Sequence, residues 1–438
     1  MKTKIVLTTN IFVGKGKSSK FDHPADADDI KKELDYRFLD SLSKMDIPEH
    51  TEVIVHALVV GAARLTEGQK QEVRGFVDAF NSRIETHIFF PPALLRLVKR
   101  LNAQKICGLY NYSKIRNLAF ILASIYDADL LIQVDTDQYI PRKFLLHAME
   151  NYQDKDIYCW SGLYREEGLK ITPVCDPLEL WPKFSSMIVD ASKLIAEGKI
   201  QPALFAKGGN MLFKKGFFKS ICYPVMVTRG EDFALALRSW LIYHNGNRAA
   251  DIEPYDERFK IYLDPCDDAA VIHYTQHKAL LNFLSYLERN LMRFAVERVT
   301  FYGQEKFSYE ELGKLSVYLS RMILAKNSSY KEYVRRVYSN LKRKVQSKKT
   351  AEFSAEVAGH PVYCSLRGTV VKVQKLPYYS GEMISNSLER ILDYVERIEK
   401  KDLFRKYLGE QKEFIDIVSR VQLRRDSIYQ ELQKSLKE

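Results

Sequence analysis

The sequence predicts an α/β protein, a mostly parallel sheet with helices on both faces, followed by a mainly helical C-terminal domain. Three observations predict it. Strand and helix patterns alternate through residues 1–277; a buried-type strand in that region ends in two carboxylates; and from residue 278 the pattern changes to long amphipathic helices. The expected domains are therefore 1–277 and 278–438, with a coiled-coil-like segment over 384–436.

Taken in order, residues 4–9 read as a strand, and the polar Gly/Lys-rich 14–20 as a loop. A helix is predicted over 28–44, a strand over 52–60, a helix over 67–80 and a third strand over 84–90, stopped by Pro91-Pro92. Ser113 is a candidate N-cap for a helix carrying Ile115, Leu118, Ala119 and Leu122 at helical spacing. Leu130-Leu-Ile-Gln-Val-Asp-Thr-Asp137 follows as a sheet-core strand. Beyond it, helices are expected over 280–302, over 309–326 with a Ser308/Glu311 capping box, and over 330–345, where a basic run 342–349 ends the segment. A short β-like patch is expected over 361–375. Ile384, Leu388, Ile391, Val395 and Ile398 then recur at alternating spacings of four and three, and Phe414, Val418, Val421, Ile428 and Leu432 extend the stripe less regularly.

With 438 residues, 46% hydrophobic and 28% charged, the chain is long enough for two or three packed domains. A net charge of +11 favours anionic partners such as nucleotides, phosphorylated acceptors or an anionic membrane surface. Six scattered cysteines without a C-x-x-C pair suggest neither a zinc site nor a disulfide framework, and read as reduced thiols of a cytoplasmic protein. No stretch approaches the roughly 18 apolar residues of a membrane span, so any membrane contact is expected to be peripheral, at the inner face.

The chemistry concentrates in four blocks, 114–137, 208–215, 230–238 and His273. Asp135 and Asp137 end a strand, and two oxygen donors with an open coordination sphere suit Mg²⁺ or Mn²⁺ carrying a diphosphate. Lys114, Arg116 and Asn117 sit at the start of the preceding helix, where cations and free N–H groups favour an anion. Gly208-Gly209 before an apolar strand permits close backbone approach to a ligand, or is a tight structural turn. Glu231 and Asp232 open an apolar helix, as ordinary first-turn acids or as a general base aimed at a hydroxyl. His273, in a strand-like segment, is a core histidine or a third metal ligand; His277 is the second choice.

Taken together, 114–137, 208–215, 230–238 and His273 resemble the GT-A fold glycosyltransferases, particularly the inverting family 2, over residues 2–277. The resemblance implies a Rossmann-like domain using a nucleotide-sugar donor, with a glycan, lipid-linked or small-molecule acceptor. It implies that Asp135, Asp137 and His273 hold Mn²⁺ or Mg²⁺ and that Asp232 is the base, with Glu231 orienting the acceptor. Thr8 and Asn10 would lie near the nucleotide base, and Arg116 and Asn117 near the sugar or diphosphate; Lys114 would add to leaving-group stabilisation. One departure stands out: 59–63 lacks the acidic residue with which the family contacts the base.

Three other readings stay open. A retaining GT-A enzyme also combines D-x-D with a later His. A nucleotidyltransferase would use the Gly/Lys-rich 14–17. A helical adaptor or nucleic-acid-binding protein would use 342–349, but that run lacks interleaved aromatics, so no nucleic-acid partner is expected. The C-terminal stripes are expected to pack on one another or on the sheet domain, with homo-oligomerisation through 384–398 or docking on anionic lipid as sharper alternatives.

Overall fold

An apolar run with only Thr8, Thr9 and Asn10 to interrupt it makes β1 (Thr3–Phe12) a strand that can be buried on both faces, and Ile5, Val6 and Leu7 are fully inaccessible. The computed structural model describes residues 2–13, 36–78, 84–165, 183–204, 206–227, 230–273, 283–302, 307–323, 329–346 and 380–437. Two compact units divide the chain, Met1–Tyr164 with Gly198–Tyr274 and Arg405–Glu438 in one, and Arg165–Glu197 with Thr275–Phe404 in the other.

In the first unit β1 pairs in parallel along its whole length with β2 (Thr51–Val60), which pairs in parallel with β3 (Glu85–Phe89). On its other side β1 runs parallel to β4 (Leu130–Val134), with Thr8 opposite Gln133. The sheet continues through antiparallel β9 (Asn210–Lys214) to β6 (Cys159–Gly162), β10 (Ile261–Asp264) and the short β8 (Gln201–Pro202). The order β3-β2-β1-β4-β9-β6-β10-β8 makes this the mostly parallel α/β sheet that the strand–helix alternation predicts. Connections from β1 go one way to β2, while β4 lies on β1's other side. That is a strand-order reversal of the kind that opens a crevice at the carboxyl ends of the strands. A small second sheet places β11 (Val271–His273) between β5 (Gln138–Tyr139) and β7 (Tyr164–Arg165).

Boundaries differ from expectation where local chemistry has an alternative. β1 runs to Phe12 rather than stopping at Thr9, because each of its residues finds a partner on β2. Pro91-Pro92 both ends β3 and starts a helix, α3 (Pro91–Arg100, after α1 Tyr36–Lys44 and α2 Glu67–Asp78), since proline is preorganised for the first helical turn. Asn111, not Ser113, caps α4 (Tyr112–Ile125), its side chain accepting from the Lys114 N–H at 3.1 Å. α5 (Phe144–Gln153) packs beside the sheet, and a left-handed Gly230 leads into α8 (Glu231–Asn245), after α6 (Lys183–Glu197) and α7 (Lys215–Phe218).

In the second unit, α9 (Phe283–Phe301) is followed by α10 (Tyr309–Leu315), opened by the expected Ser308/Glu311 capping box. The predicted helix over 309–326 breaks at Ser316. There the Asp190 carboxylate accepts from Ser316 Oγ and from the N–H groups of Val317 and Tyr318, which starts α11 (Val317–Ile323) afresh. In α13 (Gly381–Glu399), Ile384, Ile391, Val395 and Ile398 are buried against α9 and α12 (Tyr330–Gln346). This stripe is thus spent on packing inside the unit. The remainder of 384–436 forms α14 (Leu403–Leu423) and α15 (Arg425–Lys437), and residues from Arg405 onward belong to the sheet unit. There Tyr407 donates to the Cys222 carbonyl, Gln411 to the Ser220 carbonyl, and Gln433 to Tyr126. Among the described residues no helix is long and apolar enough to cross a membrane. The segments 14–20 and 361–375, and His277, lie outside the described residues.

Candidate active site

Helix α4 does two jobs because successive residues point about 100° apart. One face carries Arg116, which is 4% exposed and donates to Asp135 Oδ1 at 3.0 Å, with its Nε 3.7 Å from Glu231 Oε1. The adjoining face carries Asn117, fully buried, which donates to the carbonyls of Ile106 and Tyr223 and accepts from the Tyr223 N–H at 2.6 Å. Ser113 donates to the Val227 carbonyl at 2.7 Å and Asn111 to the Val225 carbonyl at 3.3 Å. The polar side of α4 thus ties down the segment that leads to Gly230, Glu231 and Asp232. Asn117 holds backbone rather than facing the carboxylates. Lys114 also points elsewhere, its ammonium donating to the Gln104 carbonyl at 2.8 Å.

Asp135 and Asp137 lie in the turn between β4 and β5, at the crevice edge of the sheet. The Asp135 N–H donates to Gln138 Oε1 at 3.1 Å, which fixes the turn. Asp135 Oδ2 rests against the backbone of Gly209: a Cβ there would stand 2.1 Å from that oxygen and 2.5 Å from Gln138 Nε2. Only glycine permits this approach. Next to it the Gly208 N–H donates to Asp232 Oδ2 at 2.8 Å, and the Gly209 N–H donates to the Tyr164 hydroxyl at 2.6 Å. The Phe233 N–H donates to Asp232 Oδ1 at 2.9 Å, so both carboxylate oxygens are aimed. Lys207 stacks over the Tyr164 ring at 5.2 Å. β11 runs antiparallel to β5 with His273 directly opposite Gln138, one residue past Asp137. The register therefore brings three distant segments to one place.

Thr8 and Asn10 are buried within β1 rather than at its end, and the Thr8 hydroxyl has no hydrogen-bond partner among the described residues. Since Thr8 pairs with Gln133, Asn10 comes level with Asp135 two residues further along each strand. Asn10 is thus the nearer of the two to the carboxylates. Tyr164, Gln138 and Lys207 are site residues that the sequence reading missed. Lys207 and Gln138 had a signal, each being adjacent to a motif (Gly208-Gly209 and Asp137). Tyr164 had none.

The electrostatics follow from burial. Burial opposes the Arg116 charge, but Asp135 and Glu231 outweigh it and Arg116 is held firmly protonated. Glu231 is pushed up to about 7, first by burial and then by the Asp232 charge, against the pull of Arg116. Burial lowers Lys207 to about 8, with Asp232 working the other way, and raises the Tyr164 phenol, with Asp135 and Asp232 adding to the rise.

A raised carboxyl binds its proton more tightly in the folded chain, so its contribution is present below about pH 4.5 and is lost as the pH climbs through about 7. Glu231→Gln removes that loss. Its stability is expected to match the wild type in acid and to exceed it above pH 7 by on the order of 3 kcal/mol. Denaturant melts of both proteins across this range check it, and a constant difference at every pH would contradict it.

Asp135 and Asp137 are hard-oxygen donors of the type that suits Mn²⁺ or Mg²⁺, and β11 pairs the backbone of His273 with Gln138, the residue after Asp137.

No protein-family model matches this sequence, and no curated protein matches it. Among solved structures, residues 1–349 of S. aureus TarS align over 98% of this chain and 92% of that chain, at 13% identity and a TM-score of 0.36. GalNAc-T7 with UDP, GalNAc and Mn²⁺ aligns over 80% of this chain and 58% of its own, at 13% identity and a TM-score of 0.32. Mouse xyloside xylosyltransferase 1 aligns over 59% of this chain and 80% of its own, at 11% identity and a TM-score of 0.27.

Proposed function

We propose that this site transfers a sugar from a nucleoside-diphosphate sugar to an acceptor hydroxyl, with inversion. One observation carries the reading: Arg116 bonds Asp135 and approaches Glu231, while Gly208-Gly209 touch both Asp135 and Asp232. A metal-type carboxylate and a base-type carboxylate thus flank one glycine pair at the carboxyl end of β4, where α/β sheets bind ligands.

Asp135, Asp137 and His273 would hold Mn²⁺ or Mg²⁺, which supplies neutralisation of the charge that builds on a departing nucleoside diphosphate. Arg116 orients Asp135 through its hydrogen bond to Oδ1. Asp232, aimed by two backbone N–H groups, takes the proton from the attacking hydroxyl. Glu231, buried beside it, keeps Arg116 placed between the two carboxylates. The acceptor is a glycan, a lipid-linked sugar or a small molecule carrying that hydroxyl.

The test is a thermal-shift screen of UDP-, GDP- and ADP-linked sugars with and without Mn²⁺. CMP-linked sugars, which carry a single phosphate, are the control. A metal-dependent rise in Tm with one nucleotide family is expected. No shift with any diphosphate donor would contradict the proposal, and release of pyrophosphate in place of a nucleoside diphosphate would move it to nucleotidyl transfer.

The glycine pair gives an internal comparison. Gly209→Ala must displace Asp135 or Gln138, with contacts of 2.1 and 2.5 Å, whereas a Cβ on Gly208 meets Asp232 at a tight 3.3 Å and asks it to give by only a few tenths of an ångström. Gly209→Ala is expected to lower turnover about 100-fold and Gly208→Ala far less, with both proteins folded by circular dichroism. Equal effects in steady-state assays would contradict the placement of Asp135.

A further inference from the structure

We propose that His147, Asp264 and Cys266 form a second metal site, one that takes a borderline-soft divalent ion of the Zn²⁺ class. The site is separate from Asp135 and Asp137 and does not depend on the transferase reading. The donor atoms of the three side chains all lie within 4.8 Å of one another. His147 Nε2 is 2.7 Å from Asp264 Oδ2, and Asp264 is 2% exposed while His147 and Cys266 are partly open to solvent. Asp264 ends β10, which lies three strands from β4 in the sheet order, about 14 Å at the usual strand spacing.

The surroundings are those of a ligand set. Metal-bound imidazoles ordinarily engage a carboxylate or carbonyl through their other nitrogen, and His147 Nδ1 is 3.1 Å from Glu150 Oε2. Asn151, one helical turn past His147 on α5, donates to Asp264 Oδ2 at 2.6 Å, and the Cys266 N–H donates to Asp264 Oδ1 at 2.9 Å. Pro265 between the two donors stiffens their spacing. Three protein ligands with a solvent-facing side leave a fourth position for water, the open arrangement zinc tolerates. Imidazole plus thiolate selects zinc or cobalt over magnesium and manganese, which prefer oxygen donors. Binding transfers the proton between His147 and Asp264, and that of the Cys266 thiol, to solvent, leaving neutral imidazole and thiolate as ligands. The ion would pin α5 to the carboxyl end of β10. Without it, the group is an ordinary His–Asp ion pair beside a thiol.

The experiment is a Co²⁺ titration of the reduced, chelator-dialysed full-length protein, followed by absorption. A thiolate-to-cobalt charge-transfer band saturating at one equivalent is expected, displaced by Zn²⁺ and not by Mn²⁺. Cys266→Ser is expected to abolish the band, and His147→Gln to weaken cobalt binding by about tenfold or more. Asp135→Asn should leave the band unchanged, since that site holds no sulfur. Circular dichroism of each variant establishes that it is folded. No charge-transfer band in the wild type, or one that survives Cys266→Ser, would overturn the proposal.

Discussion

Asp135→Asn is expected to cut kcat for sugar transfer by at least about 10³-fold, the several kcal/mol of transition-state stabilisation that a positioned cation supplies. The amide keeps an acceptor for Arg116, so the melting temperature should hold within a few degrees. Asp135→Ala should lose the same activity and some stability as well, because Arg116, 4% exposed, would then face only Glu231 at 3.7 Å. Asp135 is about one-third exposed, so that cost stays below the ~3–5 kcal/mol of a fully buried pair. Steady-state rates and thermal melts on both variants check the pair of expectations. Asn with full activity would remove Asp135 from the site.

Asp232→Asn is the second large effect, a loss in kcat of about 10²–10⁴-fold with little change in donor affinity. Both Asp232 oxygens accept backbone N–H groups, so the amide must turn its own NH₂ toward one of them. A local stability loss of about 1 kcal/mol is therefore expected alongside the rate effect. An unchanged kcat would point to a retaining reaction, which needs no base at this position.

What the sequence made legible was whatever depends on near neighbours. The run Leu130–Val134 is fully buried, as its composition requires, and the turn after it carries both aspartates. Paired glycines signalled a close approach to a ligand or a tight turn, and Gly209 is packed closely against the Asp135 side chain. Helical phase could also have separated Arg116 from Lys114, two residues away and nearly opposite, and from Asn117, about 100° round the helix. Reading the three together as one anion-favouring helix start overlooked that phase. The rest is set by tertiary contact. Tyr164 reaches Gly209 from 45 residues away, and Asp190 breaks the helix at Ser316 from 126 residues away. The stripe from Ile384 to Ile398 announces that α13 packs, and Phe414 to Leu432 announces the same for α14 and α15. Neither pattern names the surface it covers. Ser387 and Arg390 meeting Glu288, and Tyr407 meeting the Cys222 carbonyl, are what decide it.

Calorimetric titration of a nucleoside diphosphate into the full chain, with Mn²⁺ and then with a chelator, tests most directly whether the aspartates after β4 hold a cation against phosphates. Binding is expected with Mn²⁺ alone, and it should disappear in Asp135→Asn and in Asp137→Asn. Equal affinity in chelator, or in either variant, would contradict the account.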